Sequence, residues 1–425
     1  MEAEMTLNEL KVWVGKQIKV EKRIQSIGVW YLLFLMCTAR KHSLQEASRV
    51  SEKNKSQFSR FLKNHSGVAV YTLDQLSKKT AKRLSQSLKF LGGNALPWRM
   101  AILIDSTLQR RFTLHTENAK RFNHGQGFVI GHQWTNIVLL INEKVIPLPP
   151  IAFHNRKYCR KNKLAYKTEN ESVVEYINHL NLEDYIGPHQ SAEVLVLADS
   201  GYDDSKIEVA INQKKWKFII ALNKTRSVKS ERQYASTPKS RGWVQVTEIF
   251  RTHCRVGWRP VRIVTNRAKR TRMDFRIRQI MGYLRHVGKV QLICSEFKKK
   301  PAGRRKYLAC NDLKAEARHI LVGYRLRWAI EIFHKQVKMH LGFQDVASKS
   351  FLAILAHVHW VYCAYILLHA PPTGFPEPMT SLPEKQNKIK EIVGNREKAH
   401  LLQLLTQIKG PERCRIQLKR AIQST

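Results

Sequence analysis

Tyr324 to Lys338 reads YRLRWAIEIFHKQVK. Tyr324, Arg327, Glu331 and Lys338 stand at offsets of minus seven, minus four, zero and plus seven from the glutamate. At about 100° per residue, one unbroken helix would gather all four within roughly 60° of arc. That face would present a phenol, a guanidinium, a carboxylate and an ammonium. The residues between are largely apolar, among them Trp328, Ile330, Ile332, Phe333 and Val337, and give the helix another face to bury. Gly342 is a plausible stop. A carboxylate can hold a divalent cation through oxygen. Arginine grips phosphate with a planar fork, and lysine acts on it as a point charge. The pattern suits phosphate chemistry; the competing reading is an amphipathic helix with a solvated charged face.

The spacing Y-x2-R-x3-E-x6-K resembles the signature of the DDE transposases of bacterial insertion sequences, and within them the insertion-sequence-four group, in all four letters and all three gaps. The resemblance implies a ribonuclease H-like catalytic core. It makes Glu331 the third catalytic acid, with two aspartates upstream at the ends of hydrophobic strands.

The totals agree with such a partner. Lys and Arg number 74 against 33 Asp and Glu, a net charge of +41 over 425 residues. Self-repulsion on that scale is tolerated best beside a polyanion, so nucleic acid leads and an anionic membrane is a distant second. The length suggests several domains. The seven cysteines form no CxxC pair, which reads as reduced thiols without a zinc framework. Ile27–Cys37 and Phe351–Leu368 are apolar, but the second contains His357, His359 and Tyr362, and both read as core helices. A soluble, cytoplasmic, nucleoid-associated protein is expected.

Residues 1–95 read as helices. Within them, Ser43–Val50 and Lys55–Lys63 flank a turn near Ser51–Asn54, with Ser43 and Glu46 spaced as a capping box. A helix-turn-helix-like DNA reader is the sharper reading and a basic helical bundle the plainer one. After Gly92–Gly93–Asn94, Met100–Ile104 forms an apolar run of strand length, and Asp105 follows at once. Val194–Ala198 is a second such run and ends in Asp199. Strand C-termini are the usual ligand side of an open α/β sheet. In the resembling family the second aspartate precedes a glycine-tyrosine turn, as Asp199 does here. Asn142–Glu143 reads as a hairpin turn, Glu169–Leu182 as a helix, and WKFIIALNK as a strand closed by Lys224 and Arg226, one of them a candidate phosphate ligand.

The gap of 132 residues from Asp199 to Glu331 is too long for a bare core. VQVTEIF, RPVRIVTN, FRIRQIMGY and VQLICSEF alternate like strands and read as a β-rich insertion. The resemblance implies that this insertion stacks a flipped base on a tryptophan, with Trp243 and Trp258 as candidates. Basic runs at 267–272 and 298–306 read as loops over a phosphate backbone.

The expected fold is therefore α/β and multi-domain. Residues 1–95 form a helical DNA-binding region, 96–224 and 306–370 a ribonuclease H-like core interrupted by the insertion at 225–305, and 371–425 a helical basic region. The expected activity is transposition. Asp105, Asp199 and Glu331 hold two Mg²⁺ ions about 4 Å apart, with Mn²⁺ able to substitute. Tyr324, Arg327 and Lys338 grip DNA near the cut. The partners are the element's terminal inverted repeats, target DNA and a second copy of the chain. A catalytically dead end-binding repressor and a general ribonuclease H-fold nuclease are the alternatives.

Overall fold

The computed structural model describes residues 6–37, 42–51, 53–187, 193–236, 240–254, 256–266, 271–298, 305–369, 381–407, 412, 416 and 419. Most of the two basic runs, 267–270 and 299–304, and the proline-rich break at 371–378 lie outside them. The chain divides into two compact units.

One unit comprises Met1–Leu76, Gln109–Gly131 and His334–Thr425. Its N-terminal helices share a core with helices from the far end of the chain. Lys22–Cys37 is buried from Gly28 onward and packs on Phe351–His369. Phe61 stacks on Trp360 at 5.6 Å. A buried polar line crosses this apolar core. The Tyr31 hydroxyl lies 2.7 Å from His357 Nδ1, and His357 Nε2 lies 2.8 Å from the Gly342 carbonyl. A carbonyl only accepts, so Nε2 carries the proton and the phenol donates to Nδ1. Burial holds His357 well below its ordinary range, at about 3, so the ring is neutral. Gly342 has φ +66, and a Cβ there would come within 2.5 Å of His42. It ends the signature helix as expected, with the Phe343 N–H reaching back to the Val337 carbonyl. The two helices expected around Ser51–Asn54 are present as Leu44–Val50 and Lys55–Asn64. The first is capped by Ser43 and the second by a full capping box on Asn54. Phe351–His369 is long and apolar enough to cross a membrane, but 89% of its apolar window is buried inside the fold.

The other unit comprises Ser77–Leu108 and His132–Phe333. Its strands belong to one large sheet; the strand numbering also takes in Lys120–His124, which belongs to the first unit. In chain order these are β1 (Met100–Arg110), β2 (Lys120–His124), β3 (Gly127–Ile141), β4 (Lys144–Pro147), β5 (Ile151–Ala152), β6 (Val194–Ala198) and β7 (Lys217–Ala221). There follow β8 (Ser227–Ser230), β9 (Val244–Gln245), β10 (Arg259–Asn266), β11 (Thr271–Leu284), β12 (Gly288–Phe297) and β13 (Lys306–Cys310). The main path runs β3-β1-β6-β7-β13-β12-β11-β8-β9. β1, β6 and β7 are parallel neighbours, and β13 returns antiparallel to β7. All five residues of β6 are buried, as a parallel strand covered on both faces requires. Asn142 and Glu143, at φ +48 and +64, make the tight turn from β3 to β4.

The structure departs from expectation in two places. β1 does not stop at Asp105 but runs on to Arg110. VQVTEIF pairs only at Val244–Gln245 and then coils into a short helical stretch to His253. The region between β7 and β13 adds strands to the sheet.

Candidate active site

Two strands bring the aspartates together. The β1–β6 ladder runs in register from Met100 opposite Val194 to Ile104 opposite Ala198. Asp105 and Asp199 are the next residue on each strand. Neighbouring strands lie about 4.8 Å apart, so the acids flank one another where the parallel ladder ends. The Asp105 side chain is 17% exposed. Burial, and the nearby charges of Asp199 and Glu331, push its carboxyl up against the pull of Arg327, to about 6.

The third acid arrives on a broken helix. Ala317–Arg325 and Trp328–His340 are separate helices, joined through Leu326 and Arg327 by i to i−3 hydrogen bonds. Tyr324 therefore lies on the first helix, Arg327 in the joint, and Glu331 and Lys338 on the second, rather than all four on one straight face. The joint still leaves Arg327 four residues before Glu331, and the two form an ion pair. The same guanidinium reaches Asp105 Oδ2 at 3.3 Å. One cation thus bridges two acids. Burial would lower Arg327, but Tyr324, Asp105, Glu331 and Asp199 together raise it, so it stays charged.

Tyr324 lies beside this cluster. Lys306 Nζ sits 5.3 Å from its ring centroid and the Arg327 guanidinium 6.0 Å. Lys306 is a second cation at the site. Burial lowers it, helped by Arg327, while Glu331 and Asp199 act in the other direction. In the sequence it ends a basic run, with nothing to single it out. Trp328 was expected on the buried face but is 62% exposed, as is Ile332 at 46%, whereas Ile330, Phe333 and Val337 are fully buried. The packed face of the helix is narrower than the apolar composition suggested.

The Asp199 turn is fixed from its own side. Asp199 Oδ1 accepts from the Gly201 N–H at 2.8 Å. Asp203 accepts from the Asn223 N–H at 2.7 Å, and Asn223 Nδ2 donates to the Ser200 carbonyl at 2.9 Å. Arg226 pairs with Asp203 at 3.1 Å and with Glu208, whose side chain is fully buried. Burial pushes the Glu208 carboxyl up against the pull of Arg226. Of the two candidates for a phosphate ligand, Arg226 is engaged beneath the turn, while Lys224 is exposed.

The candidate tryptophans are occupied by cations. Trp258 lies under Arg276, Arg278 and Arg305, at 4.9 to 5.4 Å. Trp243 lies 5.0 Å from the amino group of Lys229. Lys338 lies seven residues beyond Glu331 on the same helix and is half-buried.

The oxygen donors of Asp105, Asp199 and Glu331 are the right chemistry for Mg²⁺ or Mn²⁺. Burial, with the charges of Asp199 and Glu331 beside it, disfavours the charged form of Asp105 and marks a place short of positive charge. Here Arg327 supplies that charge to two of them. Among the described residues no three His, Cys, Asp or Glu side chains are gathered tightly enough to hold a metal ion.

No curated protein matches the chain. Residues 151–367, just over half of it, match the family described as the transposase DDE domain. The matched span holds Asp199 and Glu331 but not Asp105, and on that match the chain belongs to the DDE-domain transposases.

Proposed function

We propose that this transposase binds the terminal inverted repeats of its own insertion sequence, cuts DNA at the element ends and joins the freed 3′ ends to target DNA. The observation that carries the reading is the Arg327 guanidinium bridging Asp105 and Glu331, with Asp199 at the end of the strand beside Asp105. These acids would hold Mg²⁺ or Mn²⁺. The metal, when bound, supplies activation of a water or 3′-hydroxyl and stabilisation of the leaving oxygen. The remaining roles fall to the chain. Arg327 and Lys306 are the cations placed to take phosphate oxygens beside the acids, and Tyr324 orients the end strand. Lys338 and Lys224 would hold the flanking backbone. Trp328 presents an open ring next to Arg327, a better surface for a base than the cation-covered Trp243 and Trp258. The helices around Ser51–Asn54 would read the repeat. A second copy of the chain would complete the synapse, acting on the nucleoid in the cytoplasm.

The test uses a plasmid carrying the gene's own flanking DNA, purified protein, and sequencing of cut 3′ ends with and without Mg²⁺. Metal-dependent cuts at a pair of inverted repeats are expected, with binding that weakens steeply as salt rises. Binding at the repeats without cuts would make the chain an end-binding repressor. Cuts without regard to sequence would make it a general nuclease.

A further inference from the structure

We propose that Glu169, acting through Tyr202, is a positioning residue that sets the spacing of Asp105 and Asp199; this rests on the reading of those two aspartates as metal-holding acids. Glu169 is the first residue of the helix Glu169–His179, which Thr168 caps through a capping box with Glu171. Its own carboxylate is not used in the cap. It accepts three hydrogen bonds from elsewhere: from Gln133 Nε2 at 2.6 Å, from Thr135 Oγ1 at 2.8 Å and from the Tyr202 hydroxyl at 2.7 Å. Gln133 and Thr135 stand two apart on β3 and so share a face. Tyr202 is 3% exposed and lies on the short turn that follows Asp199.

The phenol also reaches the other acid. The phenol is buried close to Ser106 and Asp105, both of which bear on its ionisation. Ser106 follows Asp105, and its N–H donates to Asp105 Oδ1 at 2.9 Å. Hydrogen bonds therefore run from β3 through Glu169 to Tyr202, which lies near Ser106 and Asp105 and stands on the turn that follows Asp199. The next residue, Asn170, adds a bond from its Nδ2 to Asp204 Oδ2 at 3.1 Å. One helix start thus holds the turn at two points.

Packing alone does not call for this arrangement. A buried phenol paired to a carboxylate costs desolvation that an apolar pair would avoid, and it is tolerated only when fully hydrogen-bonded. It stands where the parallel ladder between β1 and β6 ends in the two aspartates. Neither Glu169 nor Tyr202 bonds an acid directly, so their effect is on geometry. Partners of this kind behind acid ligands are worth about 10- to 100-fold in metal affinity or activity.

The experiment compares the full-length protein with Glu169→Gln, Tyr202→Phe, the double variant, and Glu183→Gln as an exposed control. Mn²⁺ affinity is read by calorimetry and end binding in EDTA by gel shift. Cutting of an end-bearing oligonucleotide is read under single turnover, and thermal melting is recorded for each protein. Each single variant is expected to lose about 10- to 100-fold in Mn²⁺ affinity and cutting, with end binding and cooperative melting kept and the rate partly restored by excess Mn²⁺. The double variant is expected to lose no more than the worse single one, because the pair acts as a unit. Unchanged Mn²⁺ affinity in Glu169→Gln, or losses that multiply in the double variant, would overturn the proposal. Should Glu169→Gln fail to fold, Tyr202→Phe, which removes one atom, decides on the same readouts. An unsubstituted protein that binds Mn²⁺ but cuts nothing sinks the proposed function alone, and the affinities then decide the positioning role. One that binds no Mn²⁺ overturns both.

Discussion

Asp199 stands on a turn whose neighbours are tied down by fixed donors, whereas Asp105 and Glu331 are joined through a single guanidinium. On the first side, Gly201, Asn223 and Arg226 bond the turn, and Arg226 is held between the buried carboxylates of Asp203 and Glu208. On the second side, Arg327 pairs with both acids from the joint between two helices. The two arrangements do different things. A buried pair with no competing cation fixes a backbone. A cation bridging two acids that also suit a metal is a charge that can be exchanged. One aspartate is thus preset, while the other two acids answer to whatever positive charge is offered.

The largest expected effect comes from removing an acid on the exchangeable side. Glu331→Gln keeps the shape of the side chain but not its charge. Cutting should fall by at least about 10³-fold, equivalent to about 4 kcal/mol of transition-state stabilisation, while gel shifts show end binding intact. Retained cutting would remove Glu331 from the acid set.

The fixed side should break differently. Arg226→Ala leaves Asp203 and Glu208 buried without their cation, a loss of about 3–5 kcal/mol in stability. Chemical denaturation of the metal-free protein measures it directly. A loss below about 1 kcal/mol would mean that the turn is held without Arg226.

How much of this contrast could be read from the sequence follows the range of the interactions. Met100–Ile104 and Val194–Ala198 were legible as strands because buried parallel strands are continuous apolar runs, and the acid after each run was visible with them. The signature spacing exposed Glu331. The helix break at Leu326–Arg327 was not legible, because no glycine or proline marks it and the apolar spacing continues across it. VQVTEIF alternates as a strand would, but its second half finds no partner strand. Lys306 was hidden in a basic run, and only the pairing of β13 with β7 brings it to the acids. The hydrogen bond of Glu169 spans 33 residues, and a glutamate at a helix start reads as an ordinary first-turn acid.

Arg327→Ala tests the exchange itself. If the guanidinium stands where a metal's charge would act, its loss should tighten Mn²⁺ binding, on the order of tenfold, because a competing cation has gone. The same variant should cut more slowly, since the phosphate loses its fork. Affinity and rate would then move in opposite directions. If both fall together, Arg327 is assembling the site rather than competing for it.

The smallest effect concerns protons, and it separates the two sides once more. Asp105 titrates at about 6 in the fold against an ordinary 3.8, so the folded chain binds this proton more tightly than the unfolded one. Its contribution to the metal-free fold is therefore full below the ordinary value and is withdrawn as pH rises towards 6. Metal and proton compete for the same oxygen. At limiting Mn²⁺, cutting should fall as pH drops through about 6, and raising Mn²⁺ should move that midpoint lower. In Asp105→Asn the metal-free protein should lose this part of its pH dependence between about 4 and 6, while Arg226→Ala should retain it. A midpoint that ignores Mn²⁺ concentration would place the titrating group outside the acid cluster and leave Asp105 as a structural carboxyl.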